Sequence, residues 1–305
     1  MPGVVAVVGA TATGKSALAL GLAEALGGEI VNADSRQVYR YMDIGTAKPS
    51  PDELSRVPHH LIDILDPDQP FNLALYLQQA TQAVEDIRKR GKVPFLVGGS
   101  GLYVWGFLEG LRIPHVPPDP HFRAELELQA KLVGPQALHE RLRKLDPDAA
   151  DSINPNNLRR VIRALEVCEK SGVPFSKLAT RDGLDYPFLV IGLSTPREVL
   201  YQRIDRRVDD MMERGLVEEV RGLMARGYGL DLPSMSGVGY KQIGTYLQGQ
   251  MPLDEAVQKT KNETHKLARH QGAWFKADDQ RIHWYDITTG FTEGMTKRVE
   301  DFCKG

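Results

Sequence analysis

Cysteine is nearly absent from this 305-residue chain, where Cys168 and Cys303 stand far apart. Two thiols are too few for a disulfide framework or a structural zinc site, and reduced cytoplasmic thiols are expected. No run approaches 18 apolar residues, which argues against a membrane-spanning helix. The N-terminus lacks a basic segment ahead of its apolar run, so no secretory signal is expected. The net charge is only −2, and this balance neither favours nor excludes a polyanionic partner. Internal repeats and low-complexity tracts are missing, which argues against solenoids and linker-like chains. With 42% hydrophobic and 26% charged residues, what remains is an ordinary globular composition. The length allows one large domain or two modest ones.

The strongest positive signal is the N-terminal run Val4-Val5-Ala6-Val7-Val8-Gly9-Ala10-Thr11-Ala12-Thr13-Gly14-Lys15-Ser16. Gly9, Gly14, Lys15 and Ser16 satisfy every fixed position of the phosphate-binding loop G-x-x-x-x-G-K-[ST]. Five small or β-branched residues before it read as a buried parallel strand, and Ala17–Leu26 reads as a helix. The loop residues Gly9, Thr11, Ala12, Thr13 and Gly14 would turn backbone N–H groups toward an anion, helped by the helix N-terminus. Lys15 should contact the terminal phosphate, and the Ser16 hydroxyl should help hold Mg²⁺. The motif specifies a polyphosphate or diphosphate without saying which.

Further strands are expected at Glu29–Ala33 and Val93–Val97, with a helix over Leu73–Arg90 capped by Asn72. Such alternation implies an α/β fold, a P-loop-type parallel sheet covered by helices on both faces. Four prolines within Arg112–Pro120 then break the pattern. Helical segments follow near His121–Val133, Pro135–Leu145 and Asn156–Lys170 without a strand between them. Phe188–Leu193 restores a buried strand, Arg197–Arg226 and Leu253–Lys276 read as helices, and Arg281–Tyr285 reads as a last strand. The expected organisation is a core domain of residues 1–113 and 186–305 with an all-helical insertion at 114–185.

Asp34 follows the second strand, where carboxyl ends of neighbouring strands converge on a ligand crevice. It could accept a proton, ligate metal, bind a substrate donor, or simply cap the next turn. Gly98-Gly99-Ser100-Gly101 ends the third strand, where a P-loop ATPase would place a metal-binding Asp. That departure weakens a hydrolase reading and leaves either room for substrate beside the backbone or a tight structural turn. His59 and His60 alternate across a strand, and His265 and His270 are five apart, so neither pair suits a metal. Arg203, Arg206, Arg207 and Arg214 share a helical stretch with acids, and one or two of them could reach a diphosphate. Residues 1–111 are slightly acidic, whereas Ala256–Ala277 carries Lys259, Lys261, Lys266, Arg269 and Lys276 against Glu263 alone. Arg159, Arg160 and Arg163 form a second basic group. Clusters of this kind are either solvated helix faces or nucleic-acid surfaces.

Taken in order, several strings resemble one family. They are the loop Gly9–Ser16, Asn32–Arg40 with Asp43–Pro49, Pro58–Asp63, Gly98–Tyr103, Arg159–Glu166, Gly239–Gln242 and Trp274-Phe275. Together they resemble the bacterial tRNA dimethylallyltransferases, which prenylate adenosine 37 beside the anticodon, over about residues 4–285. Ala10 and Thr13 stand where that family more often has Pro and Ser, and Ser100 where Thr is usual. The resemblance implies dimethylallyl diphosphate in the loop, Mg²⁺ at Ser16 and transfer to N6 of adenosine 37 in tRNAs that read codons beginning with U. It implies that Asp34 takes the N6 proton while Ser100 lines the channel. It implies contact with the tRNA anticodon stem-loop by Asp34, Ser35, Arg36, Gln37, Ser100, Arg123, Leu158, Arg159, Arg160, Val161, Ile162, Lys241, Arg269, His270 and Lys276. A cytoplasmic monomer without membrane attachment is expected. A small-molecule P-loop kinase, an isopentenyltransferase acting on free AMP or ATP, and a non-catalytic RNA-binding protein share parts of these features.

Overall fold

The structure is a computed structural model and describes residues 1–114, 116–289 and 293–304. Six strands form one all-parallel sheet: β1 (Val4–Gly9), β2 (Glu29–Asn32), β3 (His59–His60), β4 (Pro94–Val97), β5 (Phe188–Ser194) and β6 (Ile282–Asp286). Their spatial order is β3-β2-β4-β1-β5-β6. The first strand made is therefore central, with Val5 opposite Phe95 on one side and Leu189 on the other. All six β1 residues are buried, as a strand covered on both faces requires.

The chain divides into two compact units, one of Met1–Leu108 with Asp185 onward, the other Glu109–Leu184. The first unit opens with helices α1 (Lys15–Leu26), α2 (Pro51–Arg56), α3 (Leu73–Lys89) and α4 (Gly101–Leu108). α3 starts where Asn72 accepts the Leu75 N–H, and its Tyr76, Ala80, Val84 and Ile87 recur at helical spacing on the buried face. The second unit holds α5 (Pro120–Val133), α6 (Pro135–Leu145), α7 (Pro147–Ser152), α8 (Leu158–Ser171) and α9 (Phe175–Leu178). Its core is its own, with Leu126, Leu138, Leu142, Val161, Ile162 and Leu165 packed together. Val161 and Ile162, which the resemblance places at the RNA surface, have their side chains in this core.

The chain returns to the first unit with α10 (Arg197–Glu213), α11 (Leu216–Ala225), α12 (Tyr240–Leu247), α13 (Leu253–Trp274) and α14 (Glu293–Lys304). The helix expected over Arg197–Arg226 is thus two. Gly215, at φ +94°, takes the left-handed conformation that ends one helix and turns the chain into the next. Among the described residues no helix is long and apolar enough to cross a membrane.

Candidate active site

The carboxyl ends of β1, β2 and β4 open on a cleft enclosing about 660 Å³, part of it open solvent. β1 ends in the phosphate loop, where Gly9 (φ +138°), Ala12 (φ +64°) and Gly14 (φ +86°) bend the backbone round an anion-sized hollow. The Ala10 carbonyl accepts from the Thr13 hydroxyl at 2.8 Å and from the Lys15 ammonium at 2.6 Å. Lys15 is only partly buried as a residue, but its ammonium is tucked under the loop. Burial and the nearby Arg207 guanidinium push its pKa down to about 7, against the opposing pull of Asp34. Ser16 is exposed at the first turn of α1 and lines the cleft.

Asp34 comes off the end of β2. Asn32 fixes this corner by accepting the Asp34 N–H at 3.0 Å and donating to the Asp34 and Leu61 carbonyls. Asp34 Oδ1 accepts the Arg36 N–H at 2.8 Å. The turn-capping reading of Asp34 is therefore met, and the same carboxylate also lines the cleft with Lys15 and Arg207. Among the four arginines open to choice in the sequence, Arg207 is the one beside Lys15 and Asp34. Burial lowers its pKa, Asp34 counters that, and Arg214 adds to it. Two cations thus face one carboxylate in a partly desolvated cleft, a deficit of negative charge that an anionic ligand would fill.

The glycines after β4 have a mainly structural reason. A Cβ on Gly98 would sit 2.2 Å from the Ala33 carbonyl oxygen, and one on Gly99 would sit 2.2 Å from Gln271 Nε2. The space expected for substrate at these positions is filled by the protein itself, although Gly98 and Gly99 still line the cleft. Ser100 follows them just before α4, its N–H donating to the Ala33 carbonyl at 3.3 Å.

The opposite wall is a loop carrying Thr46 and Pro49. Glu219 of α11 accepts the N–H groups of Asp43, Ile44 and Gly45 at 2.7–3.1 Å, and the Tyr240 hydroxyl at 2.6 Å. Buried Lys48 donates to the Tyr39 carbonyl and pairs with Asp43 and Asp63. Gln37 closes the wall by donating to the Thr46 and Ala47 carbonyls. Arg36 points away, bound to the Pro233 carbonyl and the Ser236 hydroxyl. His59 also lines the cleft, with its pKa lowered by burial, and His60 pairs with Glu29 at 2.8 Å.

Of the remaining residues singled out in the sequence, Ser35 is half-buried beside Asp34. Lys241, Arg269, His270 and Lys276 are exposed on the first unit, Arg269 donating to the Tyr201 hydroxyl at 2.7 Å. On the second unit Arg159 and Arg160 are exposed, Leu158 is half-buried, and Arg123 forks onto the buried Glu166 carboxylate at 2.9 and 2.6 Å. Among the described residues no group of three His, Cys, Asp or Glu is placed to hold a metal ion.

The sequence matches the family model described as IPP transferase over residues 37–278, and one described as isopentenyl transferase over residues 2–63. The chain belongs to the IPP transferase family. Relatives include the tRNA dimethylallyltransferase of Roseiflexus castenholzii, 54% identical over 271 residues that cover 89% of each chain. That of Thermomicrobium roseum is 50% identical over 298 residues, covering 97% of this chain and 90% of its own. Among solved structures, the tRNA isopentenylpyrophosphate transferase of Bacillus halodurans is 42% identical with a TM-score of 0.73, covering 100% and 96% of the two chains. A eukaryotic dimethylallyltransferase, described as acting on tRNA, is 28% identical with a TM-score of 0.84, covering 98% and 78%.

Two cleft residues of this IPP transferase carry no motif of their own. Arg207 was one of four equivalent choices. Gln271 drew no notice, yet its Oε1 accepts the Thr11 N–H of the phosphate loop at 2.7 Å, across 260 positions of sequence. A Gln within a basic helix carries no signal by itself. Only the seating of α13 on the loop gives it a place.

Proposed function

We propose that the protein transfers a dimethylallyl group from dimethylallyl diphosphate to N6 of adenosine 37 in tRNAs reading codons that begin with U, releasing diphosphate. The observation that carries this reading is the meeting of the phosphate loop, Lys15 and Arg207 with one carboxylate, Asp34, in a single cleft. The loop N–H groups and the two cations suit a diphosphate, and Asp34 suits a donor N–H placed against it.

In the reaction, the N6 nitrogen attacks the allylic carbon as that carbon's bond to the diphosphate oxygen breaks. Lys15, Arg207 and the loop N–H groups take up the charge that grows on the departing diphosphate. The N6 proton passes to Asp34, whose Oδ1 is anchored by the Arg36 N–H and whose Oδ2 remains for the substrate. An amine conjugated to a purine is a weak nucleophile, so the wall built by Glu219 and Lys48 matters for aligning it. The adenine has to leave its stack to enter, which single-stranded anticodon loops permit.

A divalent ion also fits the donor set. Ser16 offers a lone hydroxyl on the cleft with no clustered carboxylates beside it, so the ion would take most ligands from diphosphate and water, as Mg²⁺ prefers. When bound it would supply further neutralisation of the leaving group. Ser16 would hold it, and Lys15 and Arg207 would share the same charge.

The test offers labelled dimethylallyl diphosphate and Mg²⁺ with unmodified tRNA carrying adenosines at 36 and 37, and separately with AMP. Label in the tRNA alone is expected. Label in AMP would transfer the reading to a mononucleotide acceptor, and label in neither would overturn it.

A further inference from the structure

The C-terminal half of α13 carries an exposed face that the reaction as described leaves unused. Trp274 is 48% exposed and Leu267 is 41% exposed, and His270 stands exposed between them. Spacings of three and four residues make the three neighbours on one side of the helix. Near them on the helix, Lys266 pairs with Glu263 at 2.6 Å, and Arg269, farther round, donates to the Tyr201 hydroxyl at 2.7 Å.

Trp274 is open but not loose. Trp105 Nε1 donates to its carbonyl at 3.1 Å, and the next residue, Phe275, is buried. Its side chain lies so close on Gly101 that a Cβ there would meet Trp274 Cβ at 2.2 Å and Cγ at 2.3 Å. Gly101 directly follows Ser100, and one helical turn before Trp274 the Gln271 side chain lines the cleft. The exposed indole is therefore fixed at the rim of the cleft.

We propose that the Trp274 indole is a stacking platform for an unpaired RNA base next to the target adenosine. The inference rests on the proposed function and adds a specific contact to it. Drawing one base out of a loop breaks its stacking on the neighbours, and an aromatic side chain at the entrance replaces part of what is lost. His270 and Leu267 continue the platform along the helix. The surplus of cations here, Lys266, Arg269 and Lys276 against Glu263, suits the phosphates of the same strand and favours a nucleic acid over an apolar protein segment on this face. Stacking tolerates any base, so the contact holds the loop open without reading its sequence.

Intrinsic fluorescence tests the idea, because Trp274 is the exposed one of the three tryptophans, with Trp105 buried behind its carbonyl and Trp284 half-buried. An unmodified anticodon stem-loop RNA is expected to quench wild-type emission on binding, with that quench lost in Trp274→Phe. Trp274→Ala should lower kcat/KM for the stem-loop about tenfold or more with the KM for dimethylallyl diphosphate unchanged, and Trp274→Phe should lose less. Prenyl transfer by the wild-type protein with full activity in Trp274→Ala, or an undiminished quench in Trp274→Phe, would overturn the platform alone. No prenyl transfer by the wild-type protein would overturn the proposed function and the platform together. If Trp274→Ala fails to fold, the quench in Trp274→Phe still decides.

Discussion

Glu166 in the helical unit and Asp34 in the cleft are both carboxylates among arginines, yet their settings are opposite. Glu166 is fully buried and accepts from Arg123, Arg163 and the Asp119 N–H. Burial opposes its ionisation, but those three donors outweigh it and hold its pKa below the usual carboxylate range. Every charge there has its partner, as a buried ion cluster needs in order to be tolerated. In the cleft one carboxylate faces two cations, and Lys15 is driven down to about 7. The first arrangement closes a structure, and the second leaves a vacancy shaped for an anion.

Reversing each side of the comparison gives outcomes of graded size. The largest is for Asp34→Asn, which keeps the turn-capping oxygen but cannot take a proton. It should lower kcat by about 10²–10⁴ in single-turnover prenyl transfer while stem-loop affinity is retained. A lost affinity with normal chemistry would remove Asp34 from the reaction. Next, Glu166→Gln leaves two guanidinium groups without a counter-charge and should destabilise the helical unit by ~3 kcal/mol in denaturant titration. A shift within experimental error would mean the cluster is dispensable.

The cleft should then respond to pH. A bound diphosphate draws Lys15 back toward its ordinary value, so binding takes up a proton above about pH 7. Affinity is therefore greatest below pH 7 and should fall by up to tenfold per unit above it. Calorimetry in buffers of differing ionisation enthalpy measures the proton uptake directly, and none would contradict the charge deficit. The empty protein should behave inversely. Lys15 binds its proton less tightly when folded than when unfolded, so the unfolded chain holds more protons between about pH 7 and 10.5. Stability should rise across that window, and Lys15→Met should flatten the rise in thermal melts. The smallest effect is expected for Gln271→Leu, a few-fold increase in the KM for dimethylallyl diphosphate, from loss of one neutral hydrogen bond to the loop. An unchanged KM would make Gln271 a packing residue only.

The two halves of the cleft were unequally legible. The phosphate loop is contiguous, its spacing is dictated by backbone geometry, and a single strand of text carries it. A parallel sheet covered by helices followed from alternating buried runs and helical segments, although the two-residue strand β3 gave no buried run to read. The cation opposite the loop was not readable, because Arg203, Arg206 and Arg207 share α10 with Arg214 just past its end, and the choice of Arg207 depends on how that helix meets the sheet. The glycines after β4 were visible, but the reason for them, close approach by Ala33 and Gln271, lies in contacts between distant segments. Val161 and Ile162 show a further dependence on packing. They stand beside Arg159 and Arg160 in a basic string, and only helical periodicity against a real core separates the buried pair from the exposed one.

The bond from Gln271 to the phosphate loop also sets a timetable for the newborn chain. The loop leaves the ribosome almost at once, yet the side chain that caps its Thr11 N–H is made 260 positions later. At about 5–20 residues per second that interval is roughly 10–50 s. β1 likewise waits for β5 before both its edges are covered. The helical unit, whose core lies wholly within Glu109–Leu184, has no such wait. The phosphate cradle, first in the text, is thus among the last parts of the molecule to be finished, and a nascent chain carries it unassembled until synthesis is nearly over.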